Sequence, residues 1–306
     1  MYQLDHILVC LDLSEMDDFL IRYSNFMVDN LQPKSITFMH VVKSYDIPKD
    51  IIAAFPDLDE PLTSVLKEEL EEKVDQLFTG KEKVETIVSI EEGMTTETII
   101  DYTRDHNITL TLMGKKIGYK GRGSVVRKVL SLSPSSVLLI SETSQRKIDH
   151  IMLRMDFTKT SQMAMKMAQR VKDLTRATIS AHYVYKIPLN YFPQHDMRNQ
   201  AKLEQQVAKH SKKEFEKFMK KVELPKEEVP FSYSVDTEND EAYQLYHEAL
   251  NKGADLILIG SKIKSGLADI IVDSTSEKLA EGEKNIPIFV VKDRKQTLGF
   301  LEALFD

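Results

Sequence analysis

Residues 114–124 read GKKIGYKGRGS, four glycines and four basic side chains within eleven positions, with Ser124 placed to open a helix. Glycines let backbone amides come close to an anion, and the unpaired N–H groups at a helix start carry about half a positive charge. That combination suits a phosphate, and Lys115, Lys116, Lys120 and Arg122 add cationic side chains. A solvated loop whose basic residues face water fits the same letters, and the spacing is not that of a Walker loop. Two acidic residues occupy matching places elsewhere. Asp12 ends the apolar run HILVCL and precedes Ser14 by two, and Asp156 ends HIMLRM and precedes Thr158 by two.

Other chemistry finds little support. The eight histidines include no pair with H-E-x-x-H spacing, so no metal is expected. His6 and His150 read as repeat equivalents at strand starts, and His40 and His182 as equivalents at strand ends, all in structural roles. There is no nucleophile elbow, no dinucleotide fingerprint after the first strand and no H-x-G-H pair. No catalytic base or nucleophile is therefore assigned, and the chain is expected not to be an enzyme, with slow ATP hydrolysis the one activity left open. The single cysteine, Cys10, excludes an intramolecular disulfide or a thiolate cage and fits a reducing cytoplasm.

The elements that must position these residues occur twice. DHILVCLDLS at 5–14 answers DHIMLRMDFT at 149–158, ITFMHVV at 36–42 answers ISAHYVY at 179–185, and LTLMG at 110–114 answers LILIG at 256–260. A period of roughly 145 residues is far too long for a solenoid and signals duplication of a whole domain. Within each half, short runs rich in Val, Ile and Leu alternate with amphipathic stretches, the pattern of an α/β protein whose parallel sheet is covered by helices on both faces. Strands are predicted near 6–12, 35–42, 84–90, 108–113 and 136–140, and again near 149–155, 177–184, 230–235, 255–259 and 287–291, with a long charged helix around 196–221. The expected units are residues 1–143 and 147–294, joined by the polar linker SETSQRK at 141–147 and followed by an apolar tail, 295–306. Each unit is expected to hold its own five-stranded sheet in the order 3-2-1-4-5, giving two lobes rather than one continuous sheet. In that order the ligand crevice lies beyond the carboxyl ends of the first and fourth strands, at Asp12 and Gly114 in one half and Asp156 and Gly260 in the other.

Composition bounds the partners. With 306 residues, 42% apolar and 29% charged, the chain has the usage of a folded globular protein of two domains. A net charge of −7 repels nucleic acid on average, and no apolar run is long enough to span a bilayer. The last strand of each half would leave a bare apolar edge if it stood alone, so the two edges are expected to cover each other as an internal pseudo-dimer. Leu298, Phe300, Leu301, Leu304 and Phe305 are expected to dock the tail on its own chain.

An Asp after the first strand and a glycine loop after the fourth resemble the universal stress proteins, whose loop reads G-x2-G-x9-G-[S/T]. The stretch GSKIKSGLADIIVDSTSEKLAEGEKNIPIFVV from Gly260 is similar to the family's signature region, and the likeness spans nearly the whole chain. It implies tandem flavodoxin-like domains of the adenine nucleotide alpha hydrolase-like type. One branch of that family binds ATP or AMP; another binds no nucleotide. Carried onto the first half, the resemblance implies Asp12 beside the adenine or ribose, Val41 by the base, and Gly114, Gly123 and Ser124 around the phosphates. Gly118 stands one place beyond the second glycine position, which is Ile117, and Lys115 and Arg122 are added from charge alone. In the second half Ile263 replaces the middle glycine and Asp273 the last, leaving Gly260 and Ser274. A β-branched residue disfavours positive φ and a carboxylate repels phosphate, so this half is expected not to bind ATP in the family's manner. Arg154 takes the strand position of Cys10; it either meets an anion, a ligand or Asp273, or reaches the strand end and solvates, and solvation is the reading preferred here. The resulting expectation is a cytoplasmic stress-response regulatory protein with at most one adenine nucleotide, in its first half. The alternative is a nucleotide-free scaffold that recruits other proteins.

Overall fold

A computed structural model describes residues 4–43, 62–115, 124–186, 197–225, 228–236, 239–261, 274–280, 285–295 and 297–299. The loop residues Lys116, Gly118, Lys120, Gly121, Arg122 and Gly123, the second-half residues Ile263 and Asp273, and the end of the tail lie outside the described residues. The first half runs β1 (His6–Leu11), α1 (Met16–Leu31), β2 (Ser35–Val42), α2 (Leu62–Leu77), β3 (Glu85–Glu92), α3 (Thr95–Asp105), β4 (Leu110–Gly114), α4 (Ser124–Leu132) and β5 (Ser136–Ile140). The second repeats it as β6 (His150–Met155), α5 (Lys159–Thr175), β7 (Thr178–Lys186), α6 (Met197–Val222), β8 (Phe231–Asp236), α7 (Glu241–Asn251), β9 (Leu256–Gly260), α8 (Ser274–Ala280) and β10 (Ile288–Val291).

The expectation of two separate sheets is overturned. All ten strands form one sheet in the order β3-β2-β1-β4-β5-β10-β9-β6-β7-β8. Strands within each half pair in parallel, and the halves meet where β10 runs antiparallel to β5, with Ile288 opposite Leu139 and Val290 opposite Val137. The physical reason lies in the bare edges themselves. Unpaired N–H and C=O groups on a buried apolar strand need partners, and hydrogen bonding the two edges together supplies them where side-chain cover alone would not. Central strands such as β4 (LTLMG) and β9 (LILIG) are buried on both faces, while the outer strands β3 (ETIVSIEE) and β8 (FSYSVD) carry polar residues.

Helices α1, α2, α5 and α6 line one face over a core that includes Ile7, Phe38, Leu70, Ile151, Phe215 and Phe218. Helices α3, α4, α7 and α8 line the other, over Leu8, Met39, Val129, Met152, Leu245 and Ile257. Duplication is visible even in backbone dihedrals. Leu13 and Phe157, each just past the first strand of its half, have φ of 59° and 60°; Gln32 and Arg176, which cap α1 and α5, have 51° and 63°. These are left-handed residues without the freedom of glycine, held because the turn into the helix and the helix stop demand it.

Two basic residues from the second half fasten the first. The buried Lys292 amino group donates to the Leu130 and Ser131 carbonyls at the end of α4, and Arg294 donates to the Ile108 carbonyl at 2.7 Å and to Asn107 Oδ1 at 3.1 Å. A donor at the end of α4 satisfies carbonyls that have no partner within the helix. The linker is tied as well, Thr143 Oγ1 donating to Asn285 Oδ1 at 2.8 Å.

Candidate functional site

In the first half the chain leaves β1, turns at Leu13 and enters α1. Asp17, fully buried in the first turn of α1, accepts the N–H groups of Asp12 at 3.0 Å and Leu13 at 2.9 Å. Burial pushes the Asp17 carboxyl up, against the pull of those two N–H groups and of Lys73. Because Asp17 holds the turn, the neighbouring Asp12 carboxylate is left exposed at the crevice, where the Ser14 hydroxyl donates to it. Gly114 closes the other wall. A Cβ there would lie 2.5 Å from Met16 Cγ, so its bare backbone is what lets β4 approach the start of α1. Ser124 opens α4, the helix start toward which the glycine-rich segment leads.

Two sequence-predicted residues sit elsewhere than on an open cleft. Val41 is buried in the core under α3 and α4. Lys115 is only 7% exposed, its backbone N–H donating to the Ile140 carbonyl at 2.6 Å as the β4–β5 ladder continues. Asp12, Gly114 and the start of α4 are thus brought to one end of the sheet, with the Lys115 side chain buried beside them.

The second half has the same frame and different contents. Ser161 stands where Asp17 was. Its hydroxyl accepts the Asp156 N–H at 2.9 Å and donates to Asp156 Oδ1 at 2.5 Å, and that oxygen also accepts from Thr158 N at 3.0 Å and Thr158 Oγ1 at 2.5 Å. Asp156 is therefore folded back into its own turn. Beside it Arg154 is buried, contrary to the expectation that it solvates. Its Nε donates to Glu241 Oε1 at the first residue of α7, while Glu241 Oε2 accepts from Thr275 Oγ1 at 3.1 Å and meets Lys186 Nζ at 3.0 Å. Burial works to raise the Glu241 carboxyl, and the Arg154 and Lys186 cations outweigh it and hold the group below the usual carboxylate range. An apolar-flanked strand offers no water to an arginine, so the guanidinium takes a carboxylate from the facing helix. Gly260 is the tighter of the paired glycines, since a Cβ there would lie 2.2 Å from the Thr160 carbonyl oxygen.

The register also corrects the histidines. His40 lies opposite Leu11, whereas His182 lies opposite Arg154, the counterpart of Cys10. His182 therefore matches Met39, and His40 matches Tyr183; one residue's shift along a strand places them on opposite faces. His40 Nδ1 contacts the Leu11 carbonyl at 3.0 Å. His182, 1% exposed, contacts Ser232 Oγ at 2.8 Å and Ser234 Oγ at 3.1 Å, and burial pulls it down to about 4.

A family model described as the universal stress protein family matches residues 3–141 and, a second time, 147–292. The chain belongs to the universal stress protein family. No curated protein matches it significantly. Among solved structures it is similar to a protein of unknown function from Pseudomonas aeruginosa PAO1, with TM-score 0.65, 15% identity and cover of 98% of this chain and 96% of that one. A putative universal stress protein from Pseudomonas aeruginosa UCBPP-PA14 gives 0.65 and 15%, covering 98% and 97%. A universal stress protein from Archaeoglobus fulgidus DSM 4304 gives 0.63 and 19%, covering 95% and 100%. At such identities these likenesses speak for the fold alone.

Within this universal stress protein the two crevices are chemically unlike. Cys10 and Thr95, the latter the first residue of α3, occupy the places of Arg154 and Glu241. Burial pushes the Cys10 thiol up to about 12, so it is neutral. Sequence reasoning found Arg154 and missed its partner Glu241, with the Lys186 and Thr275 that hold that carboxylate; aligning the first residues of α3 and α7 would have exposed the Thr-to-Glu change. Among the described residues no cluster of His, Cys, Asp and Glu is placed to hold a metal, and no helix is long and apolar enough to cross a membrane.

Proposed function

We propose that this universal stress protein is a regulatory binding protein whose first half holds one adenine nucleotide and whose second half is a structural counterpart. The observation that carries the reading is the asymmetry of the two crevices. Asp12 is exposed at its mouth, whereas Asp156 is folded inward and the neighbouring space holds the Arg154–Glu241 pair. A nucleotide placed beside Asp12 would present its phosphates toward the start of α4, where N–H groups and the basic residues of 115–122 favour negative charge. Binding would change a surface that a partner protein reads. A single neutral thiol and a net charge of −7 support a cytoplasmic setting away from nucleic acid.

Thermal or urea unfolding with ATP or AMP, with and without magnesium, tests this. A ligand at 100 times its Kd adds about 2.7 kcal/mol, and the gain is expected to vanish in Asp12→Ala and to persist in Arg154→Met. No gain with either nucleotide, together with no nucleotide released when the purified protein is denatured, would remove the ligand. The burial of Lys115 favours the second reading, a nucleotide-free scaffold, and that result would establish it.

A further inference from the structure

The two outermost helices of one face carry opposite charge. Helix α6 contains eight Lys and Arg against three Glu, in a chain whose net charge is −7. Lys202, Lys209, Lys213, Lys217 and Lys220 are exposed, at spacings of seven, four, four and three that keep them on one side of the helix. Val207, Phe215, Phe218 and Met219 are buried on the other. The lysine stripe is about 27 Å long at 1.5 Å per residue. Helix α2, which occupies the same place in the first half, is acidic. It exposes Glu68, Glu69, Glu71, Glu72 and Asp75 and buries Leu70 and Val74.

These helices stand beside the two open ends of the sheet. Strand β3 pairs with β2 and β8 with β7, and each forms an end of the ten-stranded order. Exposed apolar residues accompany both ends, Val65 and Ile87 at one and Tyr233 at the other. We propose that copies of this chain associate head to tail, the lysine stripe of α6 in one copy meeting the acidic face of α2 in the next. Charge complementarity selects this occupant. A long polyanion brought to α6 meets the excess negative charge of the remaining chain, whereas a second copy presents its acidic end and keeps its basic end turned away. The contact joins unlike surfaces, so it propagates into a row or closes into a ring, and each added copy restores the same pair of free ends.

The test uses the full chain in sedimentation velocity over a range of protein and salt concentration. Wild type is expected to gain mass with concentration at low salt, and its association constant to fall by about tenfold or more as the Debye length shrinks from about 10 Å toward 3 Å. Lys209→Glu/Lys213→Glu/Lys220→Glu and Glu68→Lys/Glu72→Lys should each remain monomeric, with unchanged circular dichroism, and associate when mixed, because each then supplies the charge the other lacks. A wild type that stays monomeric at low salt would overturn the proposal. So would association that ignores salt and charge reversal, or a mixture of the two variants that fails to assemble. Binding of heparin by monomeric wild type, abolished by the lysine reversals, would reassign the stripe to a polyanion.

Discussion

Removing Arg154 should leave Glu241 as a buried carboxylate without its nearest cation. Arg154 and Glu241 have side chains 9% and 6% exposed, so solvent screens the pair little. Truncating one member of a buried ion pair costs about 3–5 kcal/mol. In Arg154→Met the Glu241 carboxylate keeps Lys186 at 3.0 Å and the Thr275 hydroxyl at 3.1 Å, which places the cost near the lower end, about 3 kcal/mol. In Glu241→Gln the buried guanidinium loses the carboxylate that its Nε meets, which should likewise cost about 3–5 kcal/mol. The pair Arg154→Cys/Glu241→Thr, which copies Cys10 and Thr95, removes both charges together and should recover most of the loss, because desolvation of the ions disappears with them. Urea unfolding of wild type, Arg154→Cys, Glu241→Thr and the double variant reads the coupling as a double-mutant cycle, provided the m-values agree. The advantage of wild type over Glu241→Gln should also depend on pH. The folded carboxyl is depressed, so its contribution is present above the unfolded value of about 4.3 and is lost as pH falls through the folded one. Single-mutant costs below about 1 kcal/mol, or costs that simply add, would refute a coupled buried pair.

His182 is pulled down to about 4, so the unfolded chain takes up its proton first, and stability should fall as pH drops from about 6.5 toward 4; His182→Met, copying Met39, should flatten that part of the thermal-melting profile. Burial likewise pulls Lys292 down to about 7, and wild type should lose stability relative to Lys292→Met as pH falls from about 10 toward 7, measured by urea unfolding. The absence of that slope would mean the Leu130 and Ser131 carbonyls hold the ammonium charged. Gly260→Ala should destabilise by about 1–3 kcal/mol through collision with the Thr160 backbone. Gly114→Ala should cost less on the same denaturation assay, since the Met16 side chain it meets can move.

Much of the frame was legible in the letters because it rests on local, repeated patterns. Runs such as LTLMG and LILIG, short and bounded by polar stretches, read as strands buried on both faces, and the repeat of DHILVCLDLS as DHIMLRMDFT declares the duplication without any contact being known. Asp12 at the end of β1 follows from the same pattern. What tertiary structure alone decided depends on partners distant in the chain. The joining of β5 to β10 arises from two edges about 150 residues apart that each lack hydrogen-bond partners. The burial of Arg154 arises from a glutamate 87 residues away on the facing helix. Spacing within the chain places a residue on an element; only packing decides which charge it must answer.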